Sequence, residues 1–208
     1  MNILDLRNIL KIPSVYKCLQ NIVRNKKQMQ AYVDDFIKIK EGDSILDIGC
    51  GPADILYFFP NVDYIGFDAD SVYINNAEKN FKDRGQFFCK KVSKQLLEEM
   101  NIHEKFDIVT ANNILHHLDD KEVTELFEIA KHALKPGGRL ITCDGCKIKN
   151  DNIISKLMLF FDRGKYVRKP KQYTALASKL FNNVNYIIRN DLSNIPITGI
   201  IIECKKDS

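Results

Sequence analysis

Two places in this 208-residue chain carry residue types that could do chemistry at their spacing. The first is the run Ile45-Leu46-Asp47-Ile48-Gly49-Cys50-Gly51-Pro52-Ala53-Asp54, followed by Asp68 nineteen residues after Gly49. It reads as a buried strand, a glycine turn and a helix start, with Pro52 in the first helical turn. Glycines at 49 and 51 let the backbone turn sharply and approach a ligand. An acid closing the next strand lies beside that turn and can accept hydrogen bonds from both hydroxyls of a ribose. The pattern predicts a nucleoside-bearing cofactor rather than a plain strand-turn-helix. The second place is His116-His117, after Ile114-Leu115 at the mouth of another strand. Imidazole titrates near neutrality, so either histidine can serve as a general base. The competing reading has one packed and the other in water. His103 and His132 fall on a loop and a solvated helix face.

The charge pattern narrows the cofactor. A dinucleotide loop wants a third small residue at position 54, and this chain has Asp54. A carboxylate at a helix N-terminus repels a pyrophosphate. S-adenosylmethionine has no phosphate, and its sulfonium and ammonium tolerate Asp47 and Asp54. The loop therefore favours S-adenosylmethionine over NAD.

These elements need a frame. Short apolar runs (SILDIG, VDYIGFD, QFFCKKV, KFDIVTA, RLITCDG) alternate with amphipathic stretches such as 72–82 and 121–134. That alternation predicts right-handed crossovers and a parallel sheet covered on both faces. Residues 171–181 read as a helix, and 184–189 and 195–204 as strands whose short connection forces antiparallel pairing. The expected fold is α/β: a Rossmann-like three-layer sandwich with a seven-stranded, mostly parallel sheet and one antiparallel strand near its edge. Helical periodicity before residue 40 adds an N-terminal lid, from which Tyr32 and Arg24 are the residues that could reach the pocket. The expected divisions are a lid over 1–40, a cofactor-binding core over 41–145, a basic and apolar insertion over 146–170, and a closing helix and hairpin over 171–208.

The stretches ILDIGCGPAD, YIGFDAD, FDIVTANNILHHL and ALKPGGRLITCD resemble, in order and spacing, those of class I S-adenosylmethionine-dependent methyltransferases of the small-molecule type. The resemblance covers about residues 40–145. It implies that Gly49, Cys50 and Gly51 pass under the methionine part of the cofactor, with Asp47 near its ammonium. Asp68 would hold the ribose, Ala69 and Asp70 would flank the adenine, and Asn112 would contact the methionine end. Lys135-Pro136-Gly137-Gly138 would be a structural turn. Many relatives carry an acid after the third strand, where this chain has Lys91; the adenine would instead use backbone groups at Lys91 and Val92. Relatives often carry a histidine at the position of His117, which makes it the preferred base, with His116 second. The product would be S-adenosylhomocysteine.

Methyl transfer needs an aligned acceptor and excluded water, and an oxygen acceptor must also lose its proton. The ANNI stretch is not the Asn-Pro-Pro-Tyr type signature of base-amine methylation, which argues against that nucleic-acid chemistry. No carboxylate cluster has metal spacing, so no metal is expected. Residues 146–172 hold eight basic and two acidic residues, whereas the whole chain, with 31 basic and 27 acidic, is only +4. An anionic acceptor, small or lipid-like, methylated at oxygen, would suit that charge, with Arg163 and Arg168 as its two-pronged partners. A solvated surface segment is the plainer reading of the same run. The other readings of the chain are an NAD-dependent oxidoreductase and a cofactor-binding interaction module without catalysis.

Composition agrees with a globular domain: 45% hydrophobic and 28% charged residues exclude disorder and coiled coil. No apolar run is long enough to cross a membrane, and Asp5 and Arg7 interrupt any leader, so a cytoplasmic protein is expected. Of six cysteines only Cys143 and Cys146 are closely spaced, half of a zinc site, so reduced buried thiols are expected.

Overall fold

The computed structural model describes residues 26–161 and 165–208. Arg163, Cys18, Arg24 and the first lid helix lie outside them. A seven-stranded sheet runs in the order β3-β2-β1-β4-β5-β7-β6. Its strands are β1 (Ser44–Ile48), β2 (Asp63–Asp68), β3 (Gln86–Cys89), β4 (Phe106–Asn112), β5 (Leu134–Gly145), β6 (Asn183–Arg189) and β7 (Gly199–Lys205). The first five pair in parallel, and β7 is antiparallel to both neighbours. The expected α/β sandwich with a mostly parallel sheet is the fold. β3 is shorter than its apolar run, ending before Lys91 and Val92.

The helices are α1 (Lys26–Tyr32), continued by a wider turn over Val33–Ile37, α2 (Ser71–Phe81), α3 (Lys94–Glu99), α4 (Asp120–Ala133), α5 (Ile153–Phe161) and α6 (Pro170–Ala177). α3 had no counterpart in the sequence reading. Strand periodicity divides the core into two layers. Leu46, Ile48, Val109 and Ala111 face one way, onto Leu97, Phe127, Ala130, Tyr173 and Leu176. Ile45 and Ile108 face the other, with Tyr32, Ile37, Leu56, Ile74 and Phe81. Asp119 starts α4 with a reciprocal cap: its side chain accepts from the Glu122 amide, and Glu122 accepts from the Asp119 amide.

One expectation fails after β1. Instead of a helix with Pro52 in its first turn, Asp54–Phe58 forms a short 3₁₀ turn behind Ala53, which sits at φ 57°. Pro60 blocks extension, since proline in a helix interior loses a hydrogen bond and clashes. Lys135–Gly138 is also no separate turn. It lies within β5, where the β4–β5 register shifts between Phe106 and Ile108.

Candidate active site

In an open parallel sheet, ligands sit outside the carboxyl ends of the strands, at the point where strand order reverses. Here that point lies between β1 and β4. The loop leaving β1 is pinned to β2, because the amides of Gly49 and Cys50 both donate to Phe67 O, at 2.8 and 3.0 Å. Gly49 has φ 74°, and a side chain there would meet Ile114 Cδ1 at 2.8 Å. Gly51 has φ 54° and faces open space, with no atom within 4 Å of where a Cβ would stand. The loop is thus tight behind and open in front.

Asp68 completes the cradle. Its Oδ2 accepts from the Gly51 amide at 2.9 Å and its Oδ1 from the Asp70 amide at 2.8 Å. A carboxylate has about four lone-pair sites, so two remain for a pair of ribose hydroxyls. Asp70 caps α2 through the Val72 amide at 2.8 Å. Ala69 and Lys91 are exposed alongside, whereas the Val92 side chain is in the core, leaving only its backbone for a ligand. An open cradle, an acid closing β2 and a short 3₁₀ turn in place of a long helix behind the loop fit S-adenosylmethionine and not a pyrophosphate.

Asp47 is placed differently from expectation. It is 4% exposed, beneath the loop, with Oδ1 accepting from Thr110 Oγ1 at 2.8 Å and Oδ2 from Tyr64 OH at 2.7 Å. An alternating strand turns it onto the inner face, where both of its oxygens already accept a hydrogen bond. Burial is the main cause raising its carboxyl to about 6, and the Tyr64 and Thr110 hydroxyls oppose the rise. The folded protein therefore holds this proton more tightly than the unfolded chain. Asp47 lowers stability as pH rises from about 4 to about 6, and its effect is constant above that. Asp47→Asn should remove this segment of the pH dependence, of order 1–3 kcal/mol, from urea melts taken between pH 4 and 7.

Around the switch point a polar cluster forms that was only partly legible. Tyr32 reaches in from the lid and its OH donates to Asn112 Oδ1 at 2.7 Å. Burial raises the Tyr32 phenol well above its ordinary range, so it stays a donor. His116 is buried, with Nδ1 2.8 Å from Asp144 Oδ1. Its ring centroid is 4.2 Å from that of His117, which is exposed. Against a carboxylate, Nδ1 is the nitrogen assigned the proton. Asp144 is 1% exposed, and its Oδ2 makes no hydrogen bond among the described residues. It was missed, although TCDG places an acid one residue before the end of β5, close to where Asp68 ends β2. Burial raises the thiols of Cys143 and Cys146, the latter to about 12, so both are poor nucleophiles at neutral pH.

Arg168 is not available to an acceptor. It is 6% exposed; Nε donates to Asp120 Oδ1 at 2.8 Å, Nη1 to the carbonyls of Leu115 (2.9 Å) and Tyr166 (3.0 Å), and Nη2 to Leu118 O at 2.8 Å. It clamps the insertion to the His116-His117 turn, which also accepts from the Tyr166 amide at His116 O (3.0 Å). The expected anion partner is a structural strut.

Residues 46–140 match the family model of a methyltransferase domain. That match spans just under half of the chain. With the strand order above, the chain has the fold of class I S-adenosylmethionine-dependent methyltransferases. A methyltransferase domain of this kind implies S-adenosylmethionine as cofactor. An uncharacterized methyltransferase of Schizosaccharomyces pombe is 31% identical over 110 residues, covering 48% of this chain and 39% of that protein. The chain spans well under half the length of the curated relatives it matches. Among solved structures, an S-adenosylmethionine-dependent methyltransferase from Archaeoglobus fulgidus superposes with a TM-score of 0.70 at 15% identity, covering 92% of this chain and 99% of that one. Phosphoethanolamine N-methyltransferase 2 of Haemonchus contortus, solved with S-adenosyl-L-methionine, gives 0.68 at 16% identity, covering 89% of this chain and 54% of that one. Among the described residues, no helix is long and apolar enough to cross a membrane, and no group of three or more side chains could hold a metal ion.

Proposed function

We propose that the chain transfers a methyl group from S-adenosylmethionine to a hydroxyl of a small or lipid-like anionic acceptor. The observation that carries the reading is the His116–Asp144 pair beside exposed His117, at the carboxyl ends of the central strands, where the loop after β1 also lies. When bound, the cofactor supplies an electrophilic methyl on sulfur. Asp68 would hold the ribose, with Gly49, Cys50 and Gly51 beneath the methionine part. The Asn112–Tyr32 pair would close its far end against water. Displacement by an alcohol oxygen is helped when its proton leaves during attack. His117, facing the opening, would take that proton. His116, oriented by Asp144, would fix the turn and stabilise the neighbouring imidazolium's position without itself contacting the acceptor. Exposed Lys165, together with Arg163, would meet the anion. The acceptor in the name of the Haemonchus protein is a phosphate-bearing amine, an acceptor of the same charge class with a different methylated atom.

His117→Ala should lower kcat about tenfold to a hundredfold while leaving S-adenosylhomocysteine affinity unchanged, as expected for a lost base. Unchanged kcat would assign proton removal elsewhere. The whole reading is tested by radiolabelled methyl transfer into fractionated acceptor pools, with the product methyl identified by NMR. A methoxy carbon on an anionic product supports it. Methylammonium moves the chemistry to nitrogen. Bound cofactor with no labelled product in any pool favours an interaction module, and NAD binding without S-adenosylmethionine binding favours the oxidoreductase.

A further inference from the structure

α5 stands out because its apolar residues point the wrong way for a core helix. Ser155 and Leu159 face inward. The Ser155 hydroxyl accepts from the Thr198 amide at 2.9 Å, and Leu159 lies against Gly145 at the end of β5. On the opposite side, Ile153, Ile154 and Leu157 are 81%, 47% and 54% exposed. At positions i, i+1 and i+4 they form one continuous aliphatic face. Lys156 borders that face on the helix, and Lys147 and Lys149 lie on the chain leading into it; all three are exposed and none forms an ion pair among the described residues.

We propose that this face docks on an anionic lipid bilayer surface. Charge complementarity chooses the occupant. Residues 1–25 of this chain carry Arg7, Lys11, Lys17 and Arg24 against Asp5, so they share the sign of the lysines they would approach. A second copy would bring the same positive face to its twin. An acidic surface is required, and an aliphatic centre bordered by lysines is the pattern that buries in the acyl boundary while its charges meet anionic headgroups. Docking there sets the carboxyl end of β5, and with it the mouth of the candidate site, at the bilayer. This agrees with the lipid-like acceptor proposed above but does not require methyl transfer, so either reading can fail without the other.

The test is flotation of the full chain with vesicles of equal phosphatidylglycerol and phosphatidylcholine, and with phosphatidylcholine alone, at about 0.1 M and about 1 M salt. The chain should float with the anionic vesicles at low salt, much less at high salt, and scarcely with neutral ones. Ile153→Asp combined with Leu157→Asp should weaken partitioning roughly tenfold or more. Lys149→Glu combined with Lys156→Glu should weaken it at least about fivefold for each lysine removed. Both pairs are exposed, so thermal melts should match wild type; if the aspartates disturb the fold, the glutamate pair still decides. The proposal is overturned if wild type stays unbound, if both variants float as wild type does, or if sedimentation shows a dimer that the aspartates abolish, which would assign the face to a second copy.

Discussion

Asp68→Ala is expected to weaken S-adenosylhomocysteine binding by about 3–5 kcal/mol, more than a hundredfold, in isothermal titration. Hydrogen bonds to a charged group contribute about 1.5–3 kcal/mol each, and Asp68 has room for two from a ribose. The same carboxylate anchors the amides of Gly51 and Asp70, so its loss also frees the loop that must lie under the cofactor. Asp68→Asn should fall between the two, keeping an acceptor without the charge. Adenosine binding should drop with S-adenosylhomocysteine, and methionine competition should weaken by less, through the loosened loop alone. Equal affinity in wild type and alanine variant would remove Asp68 from the site.

Arg168→Met is expected to destabilise the fold by about 3–5 kcal/mol, lowering Tm by roughly 10 °C for a chain of this length. The methionine has similar reach but no donors. It leaves the buried carbonyl of Leu115 and the half-buried carbonyls of Leu118 and Tyr166 without their partner. The Asp120 contact adds little, because that carboxylate is 74% exposed. Arg168→Lys should rescue poorly, since one ammonium cannot reproduce the planar fork. A residue whose role was to grip an anionic acceptor would behave otherwise: KM would rise and the melt would not move. The His116-His117 turn hangs on this clamp, so activity should fall in proportion to the folded fraction.

Much of the frame could be read along the chain. Apolar runs of strand length alternating with helical periodicity left a covered parallel sheet as the consistent arrangement, and the short link before β7 required a hairpin. The geometry of the loop after β1 was equally visible, because its parts are local: two glycines on one turn, and an acid one strand later. Those features depend on backbone conformation and strand adjacency, which residue type and spacing control directly.

The side-chain environments were decided only by the assembled structure. The family resemblance put Asp47 near an ammonium; that strand alternation buries it against Tyr64 and Thr110 was visible only in the assembled sheet. Arg168 looked like part of a solvated basic run, yet two carbonyls from a turn about fifty residues earlier in the chain, with that of nearby Tyr166, surround it. Asp144 and His116 meet across 28 positions of sequence. Local pattern determines which elements form and in which order they stack. Whether a given charge meets water, a ligand or another part of the chain depends on contacts between segments far apart in sequence, and no single stretch encodes those.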